Sequence, residues 1–218
     1  MKKEAIGFYT KREEFFNALT HWAGVILGIV GLVFLLFSAI KEHSKIKVVA
    51  FAIYGACFIT MYSCSALYHS VSVKKIKSIL RAFDHSSIFL FIAGTYTPMV
   101  LLSLRGSFRI LMLVLVWSIA IFGVVFKIWT YGSFQKYGKI SLALYLGLGW
   151  LSLFLIPEMI RTTPLSFIIY LFIGGILYSV GTYFYSHPKI PYHHAIWHLF
   201  VLGASVSHFL GIFGAYAK

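Results

Sequence analysis

The chain has 218 residues, of which 60% are hydrophobic and only 11% are charged. In soluble domains roughly a quarter of all residues are charged. This composition therefore excludes an ordinary soluble fold and indicates one integral membrane domain. The net charge of +13 would suggest a nucleic-acid partner in a soluble protein. Here the basic residues lie mostly in short gaps between apolar runs, as topology signals and lipid-phosphate contacts do, and we expect no nucleic-acid partner.

Seven apolar stretches are long enough to cross about 30 Å of hydrocarbon. The sequence therefore predicts an all-α bundle of seven transmembrane helices, formed by residues 22–216 of a single domain, 1–218. Residues 1–21 form a cytoplasmic or interfacial N-terminal segment in this prediction. The predicted crossings are Trp22–Ile40, Val48–His69, His85–Leu104, Ile110–Phe126, Ile140–Ile156, Leu165–Tyr185 and His194–Tyr216.

The distribution of lysine and arginine predicts the orientation. Segments on one side of the predicted membrane hold 12 of these residues and those on the other side hold 7. By the positive-inside rule, the N-terminus is cytoplasmic and the C-terminus is external. Gly24, Gly28 and Gly31 in the first crossing have the small-residue spacing that allows close packing of membrane helices.

With this orientation, the ionisable residues of several crossings meet at one depth, in the cytoplasmic leaflet. His69 ends the second crossing, and Asp84 precedes the third. His194 and His198 open the seventh, and because they are four residues apart they share a helix face. Ionisable residues at membrane depth are costly and usually functional. We therefore expect one site that includes all four residues.

Three neutral imidazoles with a fourth position left open are the typical ligands of a catalytic zinc ion. The candidate metal ligands are thus His69, His194 and His198. Asp84 is the candidate catalytic group, since a nearby carboxylate could take a proton from water at the metal. Ser65 lies one turn before His69 on the same helix face, where its hydroxyl could form a supporting hydrogen bond at the metal site or contact the substrate.

The segment that leads into the first crossing carries three further polar residues on one helical face, Glu14, Asn17 and His21. Two interpretations stay open. These residues could cap the cytoplasmic mouth of the bundle, or the segment could be a short interfacial helix with Phe15 and Phe16 in the lipid headgroups. His208 lies some 21 Å along the last helix from His194 and is left out of the site. We expect His43, His187 and His193 in loops or interfaces.

Taken together, these residues resemble the hemolysin III proteins of bacteria, which are grouped with the adiponectin and progestin receptors. The resemblance covers nearly the whole chain in the expected order. It implies a seven-helix fold with a cytoplasmic N-terminus, zinc on the three histidines, and Asp84 beside the metal-bound water. The matching pieces are Glu14-x2-Asn17-x3-His21, Ser65-x3-His69, Asp84, Phe91-Ile92-Ala93-Gly94-Thr95-Tyr96-Thr97-Pro98 and His194-x3-His198.

Three functions are compatible with this sequence. The first is a zinc-dependent amide hydrolase that acts on a ceramide-like lipid or another acyl amide, since relatives in the resembled group are associated with ceramide hydrolysis and with membrane-lipid homeostasis. The second is a pore-forming, cytolytic or metal-stabilised membrane protein without enzymatic activity. The third is a bis-histidine haem protein, which needs only two facing imidazoles. The lipid and the oligomeric state do not follow from the sequence.

Overall fold

The computed structural model describes residues 9–217, apart from the side chains of residues 134 and 135. The part of the predicted N-terminal segment that falls in residues 1–8 lies outside this range. Every regular element in the described range is helical, and seven helical segments are long and apolar enough to cross a membrane. The predicted all-α fold is confirmed. Its helices are α1 (Lys11–Lys41), α2 (Lys45–Ser70), α3 (Lys74–Ser103), α4 (Gly106–Trp129), α5 (Phe134–Trp150), α6 (Ile156–Thr162), α7 (Leu165–Tyr185) and α8 (His193–Tyr216).

The first helix begins well before the apolar run that predicted it. Thr10 and Glu13 form a capping box, in which the Glu13 N–H donates to the Thr10 hydroxyl and the Thr10 N–H donates to the Glu13 carboxylate. This arrangement satisfies backbone donors that the first helical turn leaves free. The polar segment and the first crossing therefore form one continuous helix, which carries Asn17 and His21 into the bundle.

The fifth crossing differs from the prediction of one helix ending at Ile156. It consists of α5, a 3₁₀ turn at Leu151–Leu155 and the short helix α6. Pro157, which the sequence placed in a loop, lies in the first turn of α6. A proline is tolerated there because the first N–H groups of a helix have no intrahelical partner. The chain reverses instead at Thr163 and Pro164.

Short connections make successive helices antiparallel neighbours, and contacts between α1 and α8 close the ring of helices. Helix α3 is the most buried of the seven crossings, whereas α5 makes sparser contacts with its neighbours. The predicted close packing of α1 is confirmed: a side chain at Gly24 or Gly28 would overlap Tyr62 or Phe58 on α2, and one at Gly31 would overlap Phe209 on α8. These glycines thus let α1 pack closely against both α2 and α8.

Candidate metal centre

Three buried histidines converge at one end of the bundle. His69 lies in the last turn of α2, and His194 and His198 lie in the first turns of α8. One ring nitrogen from each histidine lies within 4.8 Å of the other two. The ring centroids of His194 and His198 are 4.5 Å apart, and each is 5.1 Å from that of His69. Such close donors can hold a single metal ion.

The hydrogen bonds of two of these rings fix which nitrogen is available to a metal. The Nδ1 of His198 lies 3.1 Å from the backbone carbonyl of Asn17. Because a carbonyl can only accept, this nitrogen carries the hydrogen and leaves the Nε2 lone pair free. The Nδ1 of His69 likewise lies 2.6 Å from the Glu14 carboxylate. Zinc-binding histidines typically donate their other N–H to a carbonyl or carboxylate in this way.

The nitrogens that remain have no hydrogen-bond partner in the described part of the chain. They are Nε2 of His69, Nε2 of His198 and both ring nitrogens of His194. Buried polar atoms are nearly always paired, so a cluster of unpaired nitrogens indicates that a ligand completes it. The donor set of three neutral imidazoles fits zinc. The residues present therefore fit the metal that the sequence predicted.

Glu14 links three helices at this centre. One carboxylate oxygen contacts His69 on α2, and the other lies 2.9 Å from the ammonium group of Lys77 on α3. Lys77 also donates to the backbone carbonyls of Tyr68 and Val71. In the sequence, Lys77 lies in the connection between the second and third predicted crossings. Its neighbours Lys74 and Lys75 are typical topology signals, so the sequence groups Lys77 with them. Its spacing carried no signal of a buried ion pair.

Asp84 and Ser65 lie near the histidine group. Both are buried, and the Asp84 carboxylate interacts electrostatically with His69 and with the basic residues Arg81 and Lys127. The Ser65 hydroxyl lies next to this carboxylate but makes no hydrogen bond of standard geometry to it. The structure thus brings a carboxylate and a hydroxyl to the cluster from α3 and α2.

Asn17 and His21 also lie inside the bundle rather than at its rim. The His21 ring stacks on the His198 ring, with centroids 3.6 Å apart and 28° between the planes. Neither nitrogen of His21 and neither side-chain polar atom of Asn17 has a hydrogen-bond partner in the described residues. Because this face belongs to the long helix α1 and is packed into the bundle, the geometry favours the interpretation as part of the mouth of the bundle over a separate interfacial helix.

Tyr9 covers the cluster and was missed by sequence reasoning. Its ring centroid lies 4.8 Å from that of His194 and 6.0 Å from that of His69. Burial raises the pKa of Tyr9 well above its usual value, so the phenol stays neutral at physiological pH. A single tyrosine before a helix gives no periodic signal, which is why only the structure reveals this contact.

His208, His187 and His43 lie apart from the three converging rings, whereas the His193 ring centroid lies 6.0 Å from that of His194. His208 donates from Nε2 to the carbonyl of Leu171 at 3.2 Å, deeper in the bundle. His187 is exposed and bonds the Tyr183 carbonyl, and His43 lies in the first connection. His193 is buried in the first turn of α8, with Nδ1 at 3.2 Å from the Phe184 carbonyl.

An apolar cavity leads away from the centre between α3, α5, α7 and α8. The space inside it that a water-sized sphere can occupy is about 130 Å³. His21 and Asp84 form part of its wall near the histidines, and His208 and Met99 form part of it farther along. Most of its other lining is aliphatic or aromatic. A cavity with one polar end and an apolar length is suited to the acyl chain of a lipid.

The fold and the centre together define a class of protein: a multi-pass membrane protein of seven helices, with a three-histidine group that can hold a metal ion. Comparison with known proteins narrows this class. The family described as "Haemolysin-III related" matches residues 9–209. The chain therefore belongs to the haemolysin III family.

Three relatives illustrate the range of this similarity. The chain is 45% identical to "Hemolysin-3 homolog" of Bacillus subtilis (strain 168), over 92% of this chain and 93% of that protein. It is 41% identical to "Hemolysin-3" of Bacillus cereus, over 91% and 89% of the two chains. It is 30% identical to human "Monocyte to macrophage differentiation factor", over 90% and 81%. The predicted resemblance is confirmed across nearly the whole chain.

Proposed function

We propose that this protein is a zinc-dependent hydrolase of a membrane-lipid amide, with its centre in the cytoplasmic leaflet. One observation carries the proposal: Asp84 and His21 line the polar end of an apolar cavity, and both lie against the group of three converging histidines. A lipid whose acyl chain occupies the cavity would present its first polar group to these side chains. The amide class comes from the resemblance to proteins associated with ceramide hydrolysis.

His69, His194 and His198 would hold the zinc ion, through Nε2 of His69 and His198 and one nitrogen of His194. When bound, zinc supplies a Lewis acid that polarises an amide carbonyl and makes water more acidic. Glu14 and the Asn17 carbonyl keep the rings of His69 and His198 in the required tautomer. These contacts orient the ligand atoms before any metal arrives.

Asp84 would move the proton. Its carboxylate takes a proton from the attacking water and delivers it to the amide nitrogen, so that a C–O bond forms as the C–N bond breaks. The products are a fatty acid and an amine. The Ser65 hydroxyl lies beside this carboxylate and would donate a hydrogen bond to its ionised form. The apolar wall of the cavity keeps bulk water away from the reacting group.

The experiment is a turnover assay on purified protein in vesicles that contain C16 ceramide or N-palmitoylethanolamine, with released palmitate measured by mass spectrometry. Asp84→Asn should keep its zinc, because Asp84 is no ligand, and should lose about 10²–10⁴-fold in rate. Lys47→Met, at the opposite end of the bundle, is the matched control and should keep the rate. Fully zinc-loaded wild-type protein that releases no palmitate from either lipid would contradict the proposal.

The names of the two Bacillus relatives favour a second candidate function, cytolysis. In that case the metal would stabilise the bundle and Asp84 would have no catalytic task. Release of haemoglobin from red cells by purified protein, with no palmitate released from the two amides, would support this alternative. Absence of lysis together with turnover would support the hydrolase.

A further inference from the structure

His21 is a buried histidine that the proposed chemistry does not use. It is only 2% exposed, and neither of its ring nitrogens has a hydrogen-bond partner in the described residues. A neutral imidazole always has one N–H donor and one lone-pair acceptor. Leaving such groups buried and unpaired is costly. A partner outside the protein would remove that cost.

Ring contacts alone hold His21 in place. Its face stacks on His198, and Tyr62 meets it at 4.9 Å with the planes inclined by 62°. Tyr62 can lie this close to α1 because Gly24, three residues after His21, has no side chain. The Tyr62 hydroxyl is itself engaged with Ser205 on α8. The packing therefore fixes the ring but offers no polar contact to its nitrogens.

The geometry separates His21 from the metal-binding group. The nitrogens of His69, His194 and His198 lie within 4.8 Å of one another, and no nitrogen of His21 belongs to that set. His21 instead forms part of the cavity wall together with Asp84. It thus stands between the candidate metal ligands and the space that a lipid would fill.

We propose that His21 is a specificity-determining residue, whose neutral ring hydrogen-bonds the amide group of a lipid held in the cavity. The inference rests on the proposed function and adds to it the residue that selects the polar group of the ligand. An amide can pair with a neutral imidazole in either of two ways: its carbonyl accepts from the ring N–H, or its own N–H donates to the ring lone pair. The rest of the cavity is apolar and would hold the acyl chain of the lipid whichever polar group that lipid carries.

The test compares two uncharged probes of similar length. N-palmitoylethanolamine carries the amide, and 2-(hexadecyloxy)ethanol replaces it by an ether. Affinities are measured by competition in an Asp84→Asn background, so that no turnover occurs. His21→Phe keeps a ring to stack on His198 but removes both polar atoms. It should lose the preference for amide over ether by about tenfold or more, since an unpaired buried amide costs that much, with ether affinity and zinc content unchanged.

Matched variants make the outcome decisive. His187→Phe changes the same residue type at an exposed position outside the cavity and should keep the amide preference. His21→Gln retains a donor and an acceptor and should keep most of it. If His21→Phe does not purify as a folded protein, His21→Leu is compared in its place.

Three results would overturn the inference. An unchanged amide preference in the His21→Phe or His21→Leu protein would show that the ring does not contact the ligand. An equal loss for both probes would indicate a structural role. Loss of zinc would make His21 a metal ligand. Because only binding is measured, a failed turnover assay would overturn the proposed function and leave this inference standing.

Discussion

Polar side chains join helices at both ends of the bundle, but those at one end are paired with protein groups and several at the other end are not. At the end remote from the histidines, the Lys47 ammonium contacts the Glu42 carboxylate and the Tyr216 backbone carbonyl, and the Tyr216 hydroxyl bonds Ser103. These groups complete one another. At the other end, His194 and His21 have no partner for any of their ring nitrogens in the described residues.

This difference separates an end whose polar groups hold helices together, here called the clamp, from an end whose polar groups can bind a ligand. Each buried polar group left without a partner costs about 1–3 kcal/mol, so several of them in one place make the histidine end unstable by itself. The clamp between α2 and α8 needs nothing further. At the histidine end a ligand would supply the missing contacts, and the group of three histidines there can hold a metal ion.

The largest expected effect is on zinc-dependent stability. Chelation should lower the melting temperature of wild-type protein, because a ligand at 1,000 times its dissociation constant stabilises the folded state by about 4 kcal/mol. His198→Ala should melt at the lower temperature with or without zinc. Lys47→Met should melt somewhat lower but keep its zinc-dependent shift, as measured by thermal denaturation in detergent. Loss of that shift in Lys47→Met would break the distinction between the two ends.

Cysteine labelling establishes which end faces the cytoplasm. An impermeant maleimide should label Arg161→Cys in intact cells and should leave Lys75→Cys unlabelled, because Lys75 lies at the histidine end. The unsubstituted protein, with Cys57 and Cys64 inside α2, gives the background. The reverse pattern would place the centre in the outer leaflet and contradict the charge-based orientation.

A smaller effect is expected one step away from the metal ligands. Glu14→Gln removes the charged acceptor of the His69 N–H and the partner of Lys77, and should weaken zinc binding by about 10–100-fold. Glu13→Gln is the neighbouring control, since glutamine preserves the capping box. Zinc affinities come from competition with a fluorescent chelator. Equal affinity in the two variants would remove Glu14 from the account.

The smallest effect concerns the cover of the site. Tyr9→Ala should release zinc to a water-soluble chelator severalfold faster, because it removes the ring that lies over His194. Tyr9→Phe should behave like wild type, since the raised pKa keeps the Tyr9 hydroxyl uncharged. Release is followed in time with an absorbing chelator. Identical rates in all three proteins would mean that Tyr9 does not limit access.

Much of this centre could be predicted because it depends on two simple regularities. The spacing of His194 and His198 fixes a shared helix face, and the number of crossings fixes that His69 and Asp84 come to the same end. Helix ends were harder to predict. Apolar runs locate the part of a helix inside the membrane, whereas a capping box starts α1 at Lys11 and a tolerated proline extends the fifth crossing to Thr162.

Contacts between side chains on different helices could not be predicted. The stacking of His21 on His198, the ion pair of Lys77 with Glu14 and the cover by Tyr9 depend on how α1 lies against α2 and α8. That arrangement follows from the close approach at Gly24, Gly28 and Gly31, whose partner side chains the sequence does not name. The cavity, likewise, exists because α5 packs loosely, which composition does not reveal.

Metal analysis of protein purified without added metal tests the central claim most directly. The account predicts one zinc per wild-type chain, loss of that zinc in His69→Ala, His194→Ala and His198→Ala, and full retention in His208→Ala. Folded wild-type protein without zinc, or full zinc in all three ligand variants, would contradict it.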